Sequence, residues 1–269
     1  MATNVWVPAA PITVTALSAT PVKGLRIAAR PALRLERDRI AGDRLFYLVD
    51  ERGRLVNGKR VAGLHAVTAE FDERDQRLTL GFPGGGRASA PVELGAELRT
   101  RFYSSERAAR LVGGPFAGAL SQQLGFAVRL VAPSEGGAGA DRGLEGTVSL
   151  ISRASLQRLA DVAGVGEIDG RRFRMSIEID GVAAHAEDAW VGMRLAVGEA
   201  RIALGGHVGR CIVTTRDPES DRVDLPTLDL LRSYRAAAAT SEPLAFGVYG
   251  SVLVPGTVRV GDRVELEPR

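Results

Sequence analysis

The chain has 269 residues, 45% hydrophobic and 25% charged, a globular composition that can bury a real core as one large or two small domains. Its formal charge of +3 and pI near 9.4 are spread along the chain, with no basic block and no interleaved aromatics, which leaves a nucleic-acid role without support. No apolar run reaches the roughly 18 residues of a membrane span, and Met1-Ala2-Thr3-Asn4-Val5-Trp6 has no basic segment leading into an apolar one, so the expectation is a soluble cytoplasmic protein without a membrane partner.

In chain order, Ile12 to Leu17, Arg44 to Val49, Leu64 to Ala69 and Arg77 to Phe82 read as short strands, with Asp50 to Arg54 a turn and Pro83-Gly84-Gly85-Gly86 a closing one. Pro115 to Leu124 has helical spacing with a Gly125 stop, Ala127 to Val131 is strand-like, and Ser134 to Asp141 is a glycine-rich loop. Val148 to Ile151 then runs into a helix from Ser152 to Ala163 that Gly164 can cap. The remainder reads as β, with strands at Arg174 to Ile179, Arg194 to Val197, Arg201 to Leu204, Cys211 to Thr215, Val248 to Val254 and Val258 to Leu266, and one helix at Thr227 to Tyr234. Ala184 to Trp190 is also read as alternating strand, whose polar groups need not converge. Many short strands with few helices give a mainly β, α+β chain: a small N-terminal β-barrel domain over residues 10–90 packed on a second β-barrel domain over 91–269.

Cys211 is the chain's one cysteine, which excludes an internal disulfide and an iron–sulfur cluster made from its own thiolates. Arginines stand on either side of it, in Gly209-Arg210-Cys211 and Thr215-Arg216. As a thiolate it can attack an electrophile or bind a soft metal; as a thiol it can serve as a small core residue. His65, His185 and His207 lie far apart, form no zinc spacing, and are read as structural. Lysine occurs only at Lys23 and Lys59 among 35 basic residues, a hint that a compact ammonium is needed there.

Ser152-Arg153-Ala154-Ser155 sits at a strand-to-helix junction, where free N–H groups, hydroxyls and a guanidinium suit a phosphate; Ser152 also suits plain N-capping. Lys23-Gly24 and Gly42-Asp43-Arg44 are turn-borne cations that an anion could approach. Walker, Rossmann and serine-hydrolase signatures are missing.

Pro21-Val22-Lys23-Gly24, Gly42-Asp43-Arg44, Ser152 to Leu156, Phe173 to Ile177, Ala186 to Trp190, Arg210 to Pro218, Leu228 to Arg235, Phe246 to Tyr249 and Pro255 to Asp262, in this order and spacing, resemble the MOSC family with its N-terminal β-barrel partner domain, in the group of the amidoxime-reducing component. The resemblance covers nearly the whole chain. It implies the molybdenum cofactor, a pyranopterin dithiolene, with Cys211 as protein ligand to the metal and catalytic residue. It further implies that Lys23, Gly24, Arg44, Ser152, Ser155, Arg174, Ser176 and Arg210 bind the cofactor, enclosed between the two domains.

The activity implied is two-electron reduction of a small N-hydroxylated substrate or a related oxygen-atom transfer, with a separate protein as electron donor. The alternative is sulfur transfer or cofactor handling through a Cys211 persulfide. The family's link to pyridoxal phosphate finds no Schiff-base motif around Lys23. Relatives commonly carry Arg-Pro-Asn where this chain has Arg174-Met175-Ser176, and serine where it has Gly24, departures that bear on substrate more than on cofactor binding.

Overall fold

A computed structural model describes residues 11–134 and 143–267; the N-terminal Met1 to Trp6 and nearly all of the glycine-rich loop lie outside the described residues. An eight-stranded sheet runs in the spatial order Val264–Glu267, Arg194–Val197, Ala200–Gly209, Ala245–Val254, Val148–Ser152, Ile177–Asp180, Thr13–Ala19, Ala28–Arg30. Its two ends meet, because Val264 N donates to the Ile12 carbonyl and Val14 N to the Asp262 carbonyl, both at 2.9 Å. Closure removes the exposed edges an open sheet would present. The N-terminal strand therefore belongs to the same barrel as the C-terminal one.

Alternation drives this barrel. Ala200–Gly209 buries Ala200, Ile202 and Leu204 while the residues between are more open, and Leu195 and Val197 do the same on the neighbouring strand. These side chains meet Leu17, Leu150, Ile177 and Val248 in one core. The pairing of Val148–Ser152 with Ile177–Asp180 is parallel, and the crossover between them carries a helix.

A second body has its own core of Val22, Leu48, Leu64, Leu78, Phe116 and Leu130. It comprises a four-stranded sheet in the order Tyr47–Asp50, Val128–Pro133, Ser105–Val112, Leu94–Phe102, a three-stranded meander of Thr68–Asp72, Arg77–Gly81 and Arg87–Pro91, and helix α1, Phe116–Leu124. The division placed at residue 90 falls inside this core: residues up to Ala132 pack with it, since strands beyond the meander cover the face it leaves apolar.

Helix α2, Arg153–Ala163, starts at Ser152, whose hydroxyl accepts from Ser155 N, and stops at Gly164 in the left-handed region at φ 69°. Helix α3, Thr227–Arg235, packs against α2. Among the described residues no helix is long and apolar enough to cross a membrane.

Several expected strands differ. Leu64, His65 and Val67 are buried in a turn that precedes the strand Thr68–Asp72. Cys211 to Thr215 forms a 3-10 turn, because the hydroxyls of Thr214 and Thr215 donate to the Cys211 and Ile212 carbonyls at 3.0 and 2.7 Å, a local bond that competes with a ladder. The strand expected from Arg174 begins at Ile177, after a 3-10 turn over Gly170–Phe173. The hairpin Leu94–Phe102 with Ser105–Val112 gave no sequence signal, since most of its first strand is solvent-facing.

Gly247 lies within Ala245–Val254 at φ +83°, where an added Cβ would stand 2.7 Å from both the Leu150 carbonyl oxygen and Met175 Cε. Gly247→Ala is expected to cost about 1–3 kcal/mol or more in chemical denaturation, from backbone strain and the clash together.

Candidate functional site

The two bodies meet along a cleft of about 230 Å³. From the N-terminal side it is lined by Lys23, Gly24, Arg44, Asn57, Lys59, His65 and Tyr103; from the barrel side by Ser149, Arg172, Arg174, Arg210, Cys211 and Tyr249, among others. None of the described lining residues is acidic. Both of the chain's lysines are here.

Each cation is placed by local structure. Arg44 adopts φ 49° after Gly42-Asp43, its N–H bonded to the Thr20 carbonyl at 2.7 Å, and its guanidinium pairs with the buried Asp43 carboxylate. Asp43 is fixed in turn by Thr20 N at 2.8 Å. Arg44 Nη2 also donates to the Arg174 carbonyl at 3.2 Å, tying the loop of one body to that of the other. Arg174 caps its 3-10 turn at φ 56°. Such positions are uncommon for a residue with a side chain, and their clustering around one cleft marks a place where conformation serves more than packing. Tyr103, also at φ 56°, lies between the two ammonium groups, 5.9 Å from Lys23 Nζ and 5.4 Å from Lys59 Nζ.

Arg172 is buried and grips Asp224 with two bonds of 2.7 and 2.9 Å. Arg210 donates to the Phe246 carbonyl at 2.8 Å, the Phe173 carbonyl at 2.9 Å and Met175 Sδ at 3.0 Å. Its charge lines the cleft while those donors tie the barrel-side segments of Phe173, Met175 and Phe246 together. Cys211 follows the strand Ala200–Gly209 in extended conformation at the head of its 3-10 turn, half-buried. That turn is fixed to α3 by Thr227 Oγ1, which donates to the Thr214 carbonyl at 2.7 Å.

Of the residues expected at the site, the cleft thus brings together Lys23, Gly24, Arg44, Arg174, Arg210 and Cys211. Ser152, Ser155 and Ser176 are not among its lining residues. Ser152 and Ser155 are fully buried, and the anion at the start of α2 is the protein's own: Glu187 accepts from Ser152 Oγ at 3.0 Å, Ser152 N at 3.1 Å and Ser155 Oγ at 2.7 Å. The phosphate expected at this junction is displaced by an internal carboxylate. Glu187 arrives there because Ala186–Trp190 is a 3-10 turn and not the alternating strand expected. Ser176 is buried behind Ser149, exchanging bonds with it at 2.8 and 3.0 Å, and so positions a lining residue from one step back.

Lys59, Asn57, His65, Tyr103, Arg172 and Tyr249 were not expected at the site. Only Lys59 carried a sequence signal, its rarity; the others are brought in by tertiary packing.

The chain belongs to the MOSC family. It matches the MOSC domain over residues 136–265 and the MOSC N-terminal beta barrel domain over residues 11–119. Mitochondrial amidoxime-reducing component 1 of Mus musculus is 34% identical over 125 residues, 44% of this chain and 35% of that protein. Mitochondrial amidoxime reducing component 2 of Homo sapiens is 37% identical over 98 residues, 34% of this chain and 29% of that protein. The matched stretches thus span about a third of the length of these relatives. Among solved structures, the YUAD protein from Bacillus subtilis aligns over 96% of both chains with a TM-score of 0.45 and 13% identity.

Behind the family's cleft, next to Glu187, His185 sits at φ 63° with both ring nitrogens buried and without a hydrogen-bond partner, against Tyr234 and Phe246. Burial pushes its imidazolium down to about 4, helped by Arg235. The unfolded chain binds this proton first, so stability is lost as pH falls from about 6.5 toward 4. His185→Asn, which tolerates the same backbone, is expected to flatten the stability curve across that window relative to wild type when unfolding is followed as a function of pH.

Proposed function

We propose that this protein binds the molybdenum cofactor in the interdomain cleft and is an oxidoreductase acting on small N-hydroxylated molecules. The observation that carries the reading is the cleft's donor set: one half-buried thiol, Cys211, facing a wall of cations that includes Lys23, Arg44 and Arg174, with no acid among the described lining residues. Among the described residues no group of three or more metal-ligating side chains gathers. A metal at Cys211 would therefore bring most of its coordination sphere with it in an organic ligand, and an anionic one fits the charge of the walls. The residues present fit a phosphate-bearing pterin dithiolene.

In this reading Cys211 would ligate the metal as thiolate, while Lys23, Arg44 and Arg174 would hold the anionic end of the cofactor and the backbone at Gly24 would let it approach closely. Arg210 ties the segments of Phe173 and Phe246 on the barrel side to each other through its carbonyl contacts. The cofactor, when bound, supplies two-electron redox chemistry, recharged by a separate electron-donor protein. Ser149, backed by Ser176, offers a hydroxyl to the same space.

Metal and pterin analysis after anaerobic purification is the direct test. Wild type is expected to carry molybdenum close to one per chain, and Cys211→Ala to lose turnover of an amidoxime probe assayed with a chemical reductant. Metal-dependent turnover that survives Cys211→Ala overturns the reading. A molybdenum-free protein whose Cys211 carries an extra sulfur atom by mass spectrometry overturns it in favour of sulfur transfer.

Lys23→Ala and Arg174→Ala are each expected to lower cofactor retention roughly tenfold or more, the loss of one charge-assisted hydrogen bond of ~1.5–3 kcal/mol. Gel filtration followed by metal quantification reads this out.

A further inference from the structure

A pair of buried residues, contributed one by each body, lines and backs the cleft without a part in cofactor binding. His65 comes from the N-terminal side and Asp221 from the loop after the 3-10 turn of Cys211, and both are about 4% exposed. His65 Nδ1 lies 3.1 Å from Asp221 Oδ1 as a close ion-pair approach, with Arg216 Nε 3.9 Å from the same oxygen, and neither Nδ1 nor Oδ1 makes a hydrogen bond to a described residue. Asp221 stands at φ 59° and its other oxygen accepts from Gly63 N. Its carbonyl accepts from Arg216 Nη1 at 2.9 Å. The backbone of His65 is fixed as well, its carbonyl accepting from Arg26 Nε at 2.9 Å, while Arg26 Nη2 donates to the Glu219 carbonyl at 2.6 Å. Arg26 thus clamps the two loops that carry the pair.

The second ring nitrogen is turned the other way. Gly58 lines the cleft, and a Cβ added there would stand 3.5 Å from both His65 Nε2 and Val213 Cγ2. Glycine at that position leaves Nε2 uncovered on the cleft side. An imidazole whose Nδ1 faces a carboxylate and whose Nε2 faces a ligand space has the arrangement of a directed proton carrier: the acid fixes the tautomer and supports the imidazolium.

We infer that His65, oriented by Asp221, delivers a proton to the substrate bound in the cleft, an inference that rests on the N-hydroxylated substrate class proposed above. Reductive cleavage takes R–NH–OH with two electrons and two protons to R–NH2 and water. The N–O bond breaks, the electrons originate in the reduced donor protein, the departing hydroxide takes one proton from His65 Nε2 to leave as water, and the nitrogen takes the other from solvent. His65 is then reprotonated from water through the open mouth of the cleft.

The charged groups facing His65 are Asp221, Arg174 and Arg216, with Arg26 on its backbone. Burial pushes its imidazolium below the ordinary range, and Arg174 and Arg216 push the same way while Asp221 opposes them. Against the penalty of its own burial, Asp221 is held below its ordinary range by the facing imidazole, and so stays ionised. The consequence is an acid stronger than a free histidine, whose protonated fraction falls as pH rises.

Two measurements test this, one of them independent of turnover. In the full-length protein without cofactor, nitrogen NMR of labelled histidine, assigned through His65→Gln, is expected to show Nδ1 protonated and Nε2 shifting when inorganic phosphate is titrated in. An Nε2 that phosphate leaves unmoved overturns the inference. In the loaded enzyme, His65→Gln is expected to lower kcat about 10²–10⁴-fold at unchanged molybdenum content and KM. The same variant should lose the limb of the wild-type profile in which rate falls with rising pH. Asp221→Asn, compatible with the same backbone, should keep the cofactor and move that limb. Normal kcat and an unaltered profile in His65→Gln overturn the inference while leaving the cofactor reading intact. Absent molybdenum, or turnover surviving Cys211→Ala, strikes the cofactor reading instead, and the NMR result still reports on His65.

Discussion

Like charge held at close quarters is the constraint around which this protein is organised. Lys23, Lys59, Arg44, Arg172, Arg174 and Arg210 line one cleft together, with no acid among the described lining residues. Such a concentration of cations in a partly desolvated space is tolerable only where partners or a ligand compensate it. Among the described residues, Asp43 pairs with Arg44 and Asp224 with Arg172 from behind. Arg210 turns its donors onto backbone carbonyls, and the lysines lean on Tyr103. The cations among the described lining residues are what the proposed anionic cofactor would meet.

That cleft exists only because two bodies close on each other. Cys211 comes from the turn after Ala200–Gly209 and Arg174 from the turn before Ile177–Asp180; Lys23 lies on the excursion between the barrel strands Thr13–Ala19 and Ala28–Arg30, Arg44 just before Tyr47–Asp50, and His65 in the turn before Thr68–Asp72. The contacts that lock them are few and directional: Arg44 to the Arg174 carbonyl, Arg26 to the carbonyls of His65 and Glu219, and Gly63 to Asp221. Each joins loops, which lets rigid sheets carry a shaped site at their margins. Left-handed backbone at Arg44, Tyr103, Arg174 and Asp221 shows how far these loops are bent from relaxed conformations to do so.

Helix α2 shows the same economy used for stability. Its positive end attracts an anion, and Glu187 meets that demand from within, held by two hydroxyls and an amide. Burial pushes the Glu187 carboxyl up and the serine bonds pull it back. A junction that reads locally as a phosphate site is thereby closed to ligands.

Local chemistry was legible in the chain. The Ser152 cap and Gly164 stop of α2, the Gly125 stop of α1, the alternation of Arg194–Val197 and the mainly β character all follow from neighbours a few residues apart, whose geometry is fixed by backbone sterics and short hydrogen bonds. The motif order pointed to the MOSC family, and Lys23, Arg44, Arg174 and Cys211 followed from it. What the tertiary structure alone decided was convergence: that a β-branched run after Cys211 coils into a 3-10 turn, that Glu187 fills the helix junction, that Lys59 and Tyr103 reach the cleft, and that His65 meets Asp221. Those outcomes depend on which strands close the barrel and how two bodies face each other, long-range choices whose free energy is spread over a whole core and written in no single stretch of sequence.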